Sequence, residues 1–376
     1  MPKWDVDFNC RLNLQDQEIV SWVAKVEALA EVIRGIPLPP GLQAMIDRLN
    51  ILRAVRGTTG IEGIELSQSE VEEIISAEPG EHVLPPSRQR AEQEVRNAEQ
   101  VMRFVGKTLA QDPDRPVTED LVRTIHRLTT EGIDYPNNEP GVYRNHPVHA
   151  GSYVPPRTGD EVRKLTAQFV EWLNHGPPAE WPPVTRAMAA HFYLVSIHPF
   201  GDGNGRTARG LESYLLYQGG VNARGFYSLA NYYYQNRSDY EALLDHVRFK
   251  TNRDITPFIK FALRGLLSEQ QEVHREILAA VTVIAFRDFA RETLAHDGKL
   301  GTKPGERMFH FLLDLSGQSV PLDELRKGGH PSSKRYHGVT AKTLSRDLNY
   351  LKNKELIRIE DGKVRPNVDI MTRFIV

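Results

Sequence analysis

Residues 198–210 read HPFGDGNGRTARG. Glycines alternate with Asp202 and Asn204, His198 and Pro199 stand before them, and Arg206 and Arg209 follow. A glycine-rich turn feeding a helix N-terminus leaves backbone N–H groups free, and those groups together with the helix dipole make an anion site. Gly203 and Gly205 have no Cβ, so phosphate oxygens can approach the backbone closely. Arg206 and Arg209, three residues apart on the first turns of that helix, can each grip a phosphate in bidentate fashion. Asp202 suits Mg2+, which bridges substrate phosphates with few protein ligands. A neutral imidazole at His198 is a suitable general base for an incoming hydroxyl. The spacing fits neither G-x-x-x-x-G-K-[ST] nor G-x-G-x-x-G after a strand. It points to nucleotide-phosphate binding with a base nearby; the plain alternative is a glycine-rich helix–helix turn bearing a surface histidine.

The neighbouring segments must position these groups. PPVTRAMAAHFYLVSI has helical period and runs straight into His198, where Pro199 and Gly201 should stop it. Asp202 and Asn204 are the expected N-caps of the next helix, which should reach about Tyr217. Upstream, QEIVSWVAKVEALAEVI puts Ile19, Val23, Val26 and Ala30 on one face, and IPLPPG ends it. LQAMIDRLNILRAV, SQSEVEEIIS with a cap at Ser67 or Ser69, the charged RQRAEQEVRNAEQVMRFVG, and VTEDLVRTIHRLTTEG with a cap at Thr118 add four more helices. EPGVYRNHPVHAGSYVPP reads as a hairpin or an ordered loop. DEVRKLTAQFVEWLNH is helical again, and a long striped helix covers roughly 269–295. From about Thr302 the pattern is helix, helix, helix, strand, turn, strand, with the turn at Asp361-Gly362, which is a winged helix-turn-helix pattern. The expected fold class is mainly α: a helical bundle with a β-hairpin flap, plus this C-terminal domain.

Composition bounds the rest. A chain of 376 residues should hold two or three domains. A net charge of −2 argues against nucleic-acid binding by the whole surface, though not by a local patch. The single Cys10 cannot form an intrachain disulfide, which fits a reducing compartment. No apolar run is long enough to span a membrane, and the N-terminus lacks a signal-peptide core. The sequence therefore predicts a cytoplasmic protein without a membrane partner, and without zinc-type ligand spacing it predicts no structural metal.

HPFGDGNGRTAR resembles the signature of Fic-domain proteins, H-P-F-x-[DE]-G-N-G-R-x-x-R, at every defined position. The preceding AHFYLVSI, the flap-like GVYRNHPVHAGSYVPP and the following GFYSLANYYYQNRSDYEALL are also similar to the family, so the resemblance covers roughly residues 5–265. It implies a Fic-type bundle that transfers AMP from ATP to a Ser, Thr or Tyr hydroxyl of a target protein. Carried over, His198 is the base and Asp202 places Mg2+. Gly203, Asn204 and Gly205 form the anion hole, Arg206 holds the β-phosphate and Arg209 belongs to the γ-phosphate. The flap, with His146, Pro147, Val148 and His149, would add a target strand. Tyr240 is expected at the nucleobase wall; many members have two adjacent aromatics there, whereas this chain reads Tyr240-Glu241. His146 and His149 follow no usable pattern and are expected to be exposed.

Residues Thr58 to Gly63, TTGIEG, resemble the family's inhibitory motif, [ST]-x-x-x-E-[GN]. That resemblance implies a pairing of Glu62 with Arg209, leaving the γ-phosphate without a partner. The bland alternative makes Glu62 a surface residue after a helix break at Gly60. From Val320 onward twelve basic residues face seven acidic ones, enough for weak attraction to a phosphate backbone. Thr343, Arg346 and Tyr350 share one helix face there, so duplex DNA stands as a partner alongside dimerisation or target docking. The expected divisions are 1–110, an N-terminal region with the inhibitory motif; 111–267, the core; 268–300, a linking helix; and 301–376, the winged helix. The expectation is an auto-inhibited protein adenylyltransferase using ATP and Mg2+. Removal of AMP at the same site and a nucleotide-sensing DNA-binding regulator are its alternatives.

Overall fold

Segments with helical period fold as helices, and the most apolar of them lies at the centre. A computed structural model describes residues 6–374 apart from 79, 223–228 and 316–318. The first four residues of GFYSLANYYYQ therefore lie outside the described residues. The chain divides into two units, Met1–His274 and Arg275–Val376. The sequence reading places three breaks, after 110, 267 and 300; the structure has one, after 274, and the N-terminal helices share a unit with the signature.

The first unit holds α1 (Gln17–Gly35), α2 (Pro40–Ile61), α3 (Gln68–Ser76), α4 (Gln89–Gln111), α5 (Glu119–Thr130), α6 (Gly159–His175), α7 (Pro183–Ile197), α8 (Asn204–Gln218), α9 (Leu229–Gln235) and α10 (Arg237–Lys250). It also holds the start of α11 (Thr256–His296). In α7 every residue from Ala187 to Ile197 is buried, as befits a helix that is apolar on all sides. Helix α8 packs on α7, and α4 and α5 pack on α8. Ser67 caps α3 in a reciprocal box with Glu70, and Thr118 caps α5.

Helix α2 does not break at Gly60; it continues to Ile61. Its glycines permit a close approach to α9. A Cβ on Gly57 would fall 2.6 Å from the Asn231 amide nitrogen, and one on Gly60 would fall 2.5 Å from the Tyr234 ring. The flap between α5 and α6 is reduced to one antiparallel bridge, Ala150 with Tyr153. Pro147, Pro155 and Pro156 lack the N–H donors that a longer ladder needs.

The second unit continues from α11 into α12 (Lys303–Asp314), β1 (Val320–Pro321), α13 (Leu322–Lys327), α14 (Ala341–Asn353), β2 (Ile357–Glu360) and β3 (Lys363–Pro366). The strands form an antiparallel sheet in the order β1-β3-β2, with Glu360 opposite Lys363. Asp361 and Gly362 turn the hairpin at φ 49° and 71°, the pair of positive values that a tight two-residue turn requires. The core joins Phe286, Leu294, Phe311, Leu348, Leu351 and Val364. This element order follows the helix, helix, helix, strand, turn, strand pattern of the sequence, with β1 added. Tyr350 departs from expectation. Its hydroxyl donates to Asp297 Oδ2 at 2.8 Å, and Lys299 stands over its ring, so it is not available to a nucleic-acid groove.

The glycine packing yields a stability test. Gly57→Ala should cost about 1–3 kcal/mol through overpacking. Gly106→Ala on α4, where nothing lies within 4 Å of the added methyl, should gain up to about 1 kcal/mol. Urea unfolding measures both, and a gain at Gly57 would contradict the α2–α9 contact.

Candidate active site

His198 caps the C-terminus of α7 in the left-handed region, at φ 51° and ψ 60°. A non-glycine residue there costs about 1–2 kcal/mol, so something must hold it. Its N–H donates to Leu194 O at 3.0 Å. Its carbonyl accepts from Arg144 Nε at 2.7 Å. Its Nδ1 lies 3.1 Å from Val195 O. A carbonyl can only accept, so Nδ1 carries the proton and Nε2 keeps a lone pair. Burial pushes the His198 pKa down to about 4, and Arg248 and Arg144 push the same way against the Val195 bond. The ring is thus a neutral base at neutral pH.

The expected N-caps of α8 are corrected. The N-cap is Gly203, at φ 70°, with no side-chain cap. The Asn204 side chain is committed elsewhere, bonding both the N–H and the C=O of Phe200 at 2.9 and 3.0 Å and closing the loop. The Asp202 carboxylate accepts from its neighbour Gly203 N–H at 2.5 Å and from Arg206 at 3.1 Å. Among the described residues no acceptor takes the amides of Asn204 and Gly205. They are the free donors of a helix start.

The two arginines have different surroundings. Arg209 is 3% exposed; its Nε donates to Thr58 Oγ1 at 2.9 Å and its Nη2 to Glu62 Oε1 at 2.6 Å. Glu62 caps the C-terminus of α2, and Gly63 follows at φ 89°. Burial works to raise the Glu62 carboxyl, but Arg209 and Arg206 outweigh it and hold it below the ordinary carboxylate range. Arg206 does not stand on the cavity wall beside Arg209. Its Nη1 is taken by Glu94 at 2.9 Å and by Tyr135 Oη at 2.7 Å, on the α4 side of α8. The expectation that both arginines point at phosphates from adjoining turns overlooked this buried carboxylate.

An open cavity of about 830 Å³ lies over the junction, lined by Glu62, His198, Asp202, Gly203, Asn204, Gly205 and Arg209. That volume is within the range of small-molecule sites. Its far wall is α10, with Tyr240, Glu241, Asp245 and Arg248. Tyr240 turns its hydroxyl away to His191 Nε2 at 2.9 Å and stacks on Tyr233. Of the flap residues, His149 lines the cavity and is exposed, and His146 is half-buried. His146, Pro147 and Val148 are not on the cavity wall. The flap is pinned to α10 by Ser152 on Asp245 at 2.6 Å and by Arg248 over the Tyr153 ring.

Sequence reasoning missed Glu94, Tyr135, Arg248 and His126. A signal existed for Glu94: it shares the stripe of Ala98, Val101 and Val105 on α4, where an acid should not be buried without a partner. Among the described residues no cluster of three or more His, Cys, Asp or Glu could hold a metal ion. Asp202, 43% exposed on the cavity, is a single carboxylate.

Comparison with known proteins places the same stretch of chain within a known family. Residues 116–216 match the Fic/DOC family. The protein adenylyltransferase Fic of Nematostella vectensis is 32% identical over 210 residues, which is 55% of this chain and 45% of that protein. The protein of the same name from Aedes aegypti is 31% identical over 207 residues, 54% of this chain and 38% of that protein. The matched region thus spans less than half the length of these relatives. A Fic family protein from Desulfovibrio desulfuricans G20 superposes with a TM-score of 0.56 at 21% identity, over 97% of this chain and 98% of that one. Residues 116–216 are therefore a Fic/DOC domain, in a chain with the fold of a Fic protein.

Proposed function

We propose that the chain is a protein adenylyltransferase that moves AMP from ATP to a hydroxyl of a protein, held at low activity by Glu62. The observation that carries it is the junction itself: a neutral His198 with its Nε2 lone pair free, and the unbonded amides of Asn204 and Gly205, on one cavity wall. The relatives' names support the same chemistry. The target hydroxyl attacks the α-phosphorus of ATP and gives its proton to His198 Nε2. A new oxygen–phosphorus bond forms, the bond to the β-phosphate bridging oxygen breaks, and pyrophosphate leaves. Amides aimed at the developing charge, fixed beforehand, supply much of the stabilisation.

Asp202 fits Mg2+, since such sites combine one or two carboxylates with substrate phosphates. When bound, the ion would neutralise phosphate charge. Arg209 serves the γ-phosphate. Arg206 serves the β-phosphate only if it leaves Glu94 or reaches past it; in the conformation described it orients Asp202. Tyr240 offers its ring, not its hydroxyl, to the base. The flap from His146 to His149 docks the target by strand addition.

Glu62 holds Arg209 at 2.6 Å. A triphosphate arriving at this pair lacks its outermost partner, and a displacement of about an ångström at the α-phosphate can cost on the order of 10²-fold in rate. Duplex DNA or a second copy is a further partner to test for residues 275–376. Among the described residues no helix is long and apolar enough to cross a membrane.

Glu62→Gly should raise self-modification with labelled ATP and Mg2+ by about 10²-fold, read as added AMP by intact mass. Equal incorporation by the wild-type chain would refute inhibition by Glu62, and loss of a pre-existing adduct in the wild type would favour AMP removal. His198→Ala should abolish the gain. The pH profile carries its own test. The neutral base is the active form, and its pKa lies near 4 instead of 6.5; removing the Glu62 charge lowers it further. The rate of Glu62→Gly should stay level from pH 8 down to about 5. A tenfold loss per unit starting near pH 6.5 would show that the base is an ordinary exposed histidine.

A further inference from the structure

His126 is fully buried on α5, stands outside the cavity lining, and is used by nothing in the reaction so far. Its ring stacks face to face on Phe200, with centroids 3.6 Å apart and planes within 3°. Both nitrogens are engaged. Nδ1 accepts from the Gly141 N–H at 2.9 Å, and Nε2 lies 3.0 Å from the Asp202 carbonyl. A backbone N–H only donates and a carbonyl only accepts, so one tautomer satisfies both: bare Nδ1 and protonated Nε2. Burial keeps the ring neutral.

The carbonyl and the N–H of a trans peptide point in opposite directions across a rigid plane. Holding the Asp202 oxygen toward α5 therefore aims the Gly203 N–H the other way. There it meets Asp202 Oδ1 at 2.5 Å, on two residues that line the cavity. That plane needs an external hold, because glycine accepts either sign of φ and so resists a peptide flip poorly. Thr130 adds a steric limit: a Cβ on Gly203 would come within 2.7 Å of its methyl. Asn138 Oδ1 anchors the preceding amide, of Asp202, at 3.0 Å.

We propose that His126 is a positioning residue: its Nε2–H holds the Asp202–Gly203 peptide so that the Gly203 N–H donates to the Asp202 carboxylate and fixes that carboxylate at the cavity wall. Its Nδ1 ties the same loop to the base of the flap at Gly141. The inference rests on the adenylyltransferase reading for its effect on rate, and on geometry alone for its effect on phosphate binding.

Two near-isosteres separate the two bonds. A glutamine amide reaches about as far as Nε2, and an asparagine amide only about as far as Nδ1. In the full chain carrying Glu62→Gly, His126→Asn should lower kcat by about 10²-fold, the upper end of the usual scale for losing a group that orients a ligating side chain. His126→Gln should stay within about tenfold of the parent. Equal kcat values, or a worse glutamine variant, would overturn the proposal. If Glu62→Gly transfers no AMP at all, the functional reading has failed, and calorimetric titration with ATP and Mg2+ decides. The asparagine variant must then bind at least about tenfold more weakly than the glutamine variant, and equal affinity overturns the assignment. If neither variant folds, long-range 1H–15N spectra of histidine-labelled wild-type protein decide. An Nε2–H ring at His126 supports the proposal and an Nδ1–H ring refutes it.

Discussion

A helix start with unbonded amides, set inside a folded protein, is the constraint around which this molecule is organised. Such amides cost free energy when buried without a partner, so the loop before α8 must leave them facing an open cavity. Asn204 closes the loop on Phe200, Gly203 supplies the left-handed turn, and His126 fixes the peptide between Asp202 and Gly203. On the other side Arg144 gathers the carbonyls of His198, His146 and Pro156 and sets the base of the flap against the same junction. A buried guanidinium facing only carbonyls is costly, and burial lowers the Arg144 pKa to about 10. The interactions that shape the cavity and those that close the chain are therefore largely the same bonds.

The arginines of α8 explain why the N-terminal helices belong to the same unit as the junction. Arg206 and Arg209 are 6% and 3% exposed, and burying an unpaired charge costs several kcal/mol. Glu94 on α4 meets the first, and Thr58 with Glu62 at the end of α2 meets the second. The pairs differ in kind. Glu94 is 6% exposed and locked beneath the loop, whereas Glu62 is a third exposed and stands on the cavity wall. One acid is built into the scaffold, and the other sits where a ligand can compete with it.

Much of the fold was legible from the residues. The apolar periods of α1 and α7, the caps at Ser67 and Thr118 and the turn at Asp361-Gly362 all depend on neighbours within a few positions. The errors have a common origin. Asn204 was expected to cap a helix because its type favours caps, yet a loop carbonyl and amide lay within reach and took its side chain. Gly60 reads as a helix breaker, yet the absence of its side chain serves contact with Tyr234. Tyr350 shares the outward helical period of Arg346, yet Asp297 claims its hydroxyl.

The sequence by itself determined which chemical groups stand at the junction and in what order, because glycine spacing and helical period act over a single turn of chain. It also contained the acids that meet the two arginines: the resemblance of TTGIEG to the inhibitory motif named Glu62 for Arg209, and nothing named Glu94 for Arg206. Those partners lie 147 and 112 residues away. Only the packing of α2 and α4 on α8 brings them within hydrogen-bond distance. Local geometry is written in the spacing of residues, whereas the pairing of charges depends on distances that exist only once the helices have been assembled.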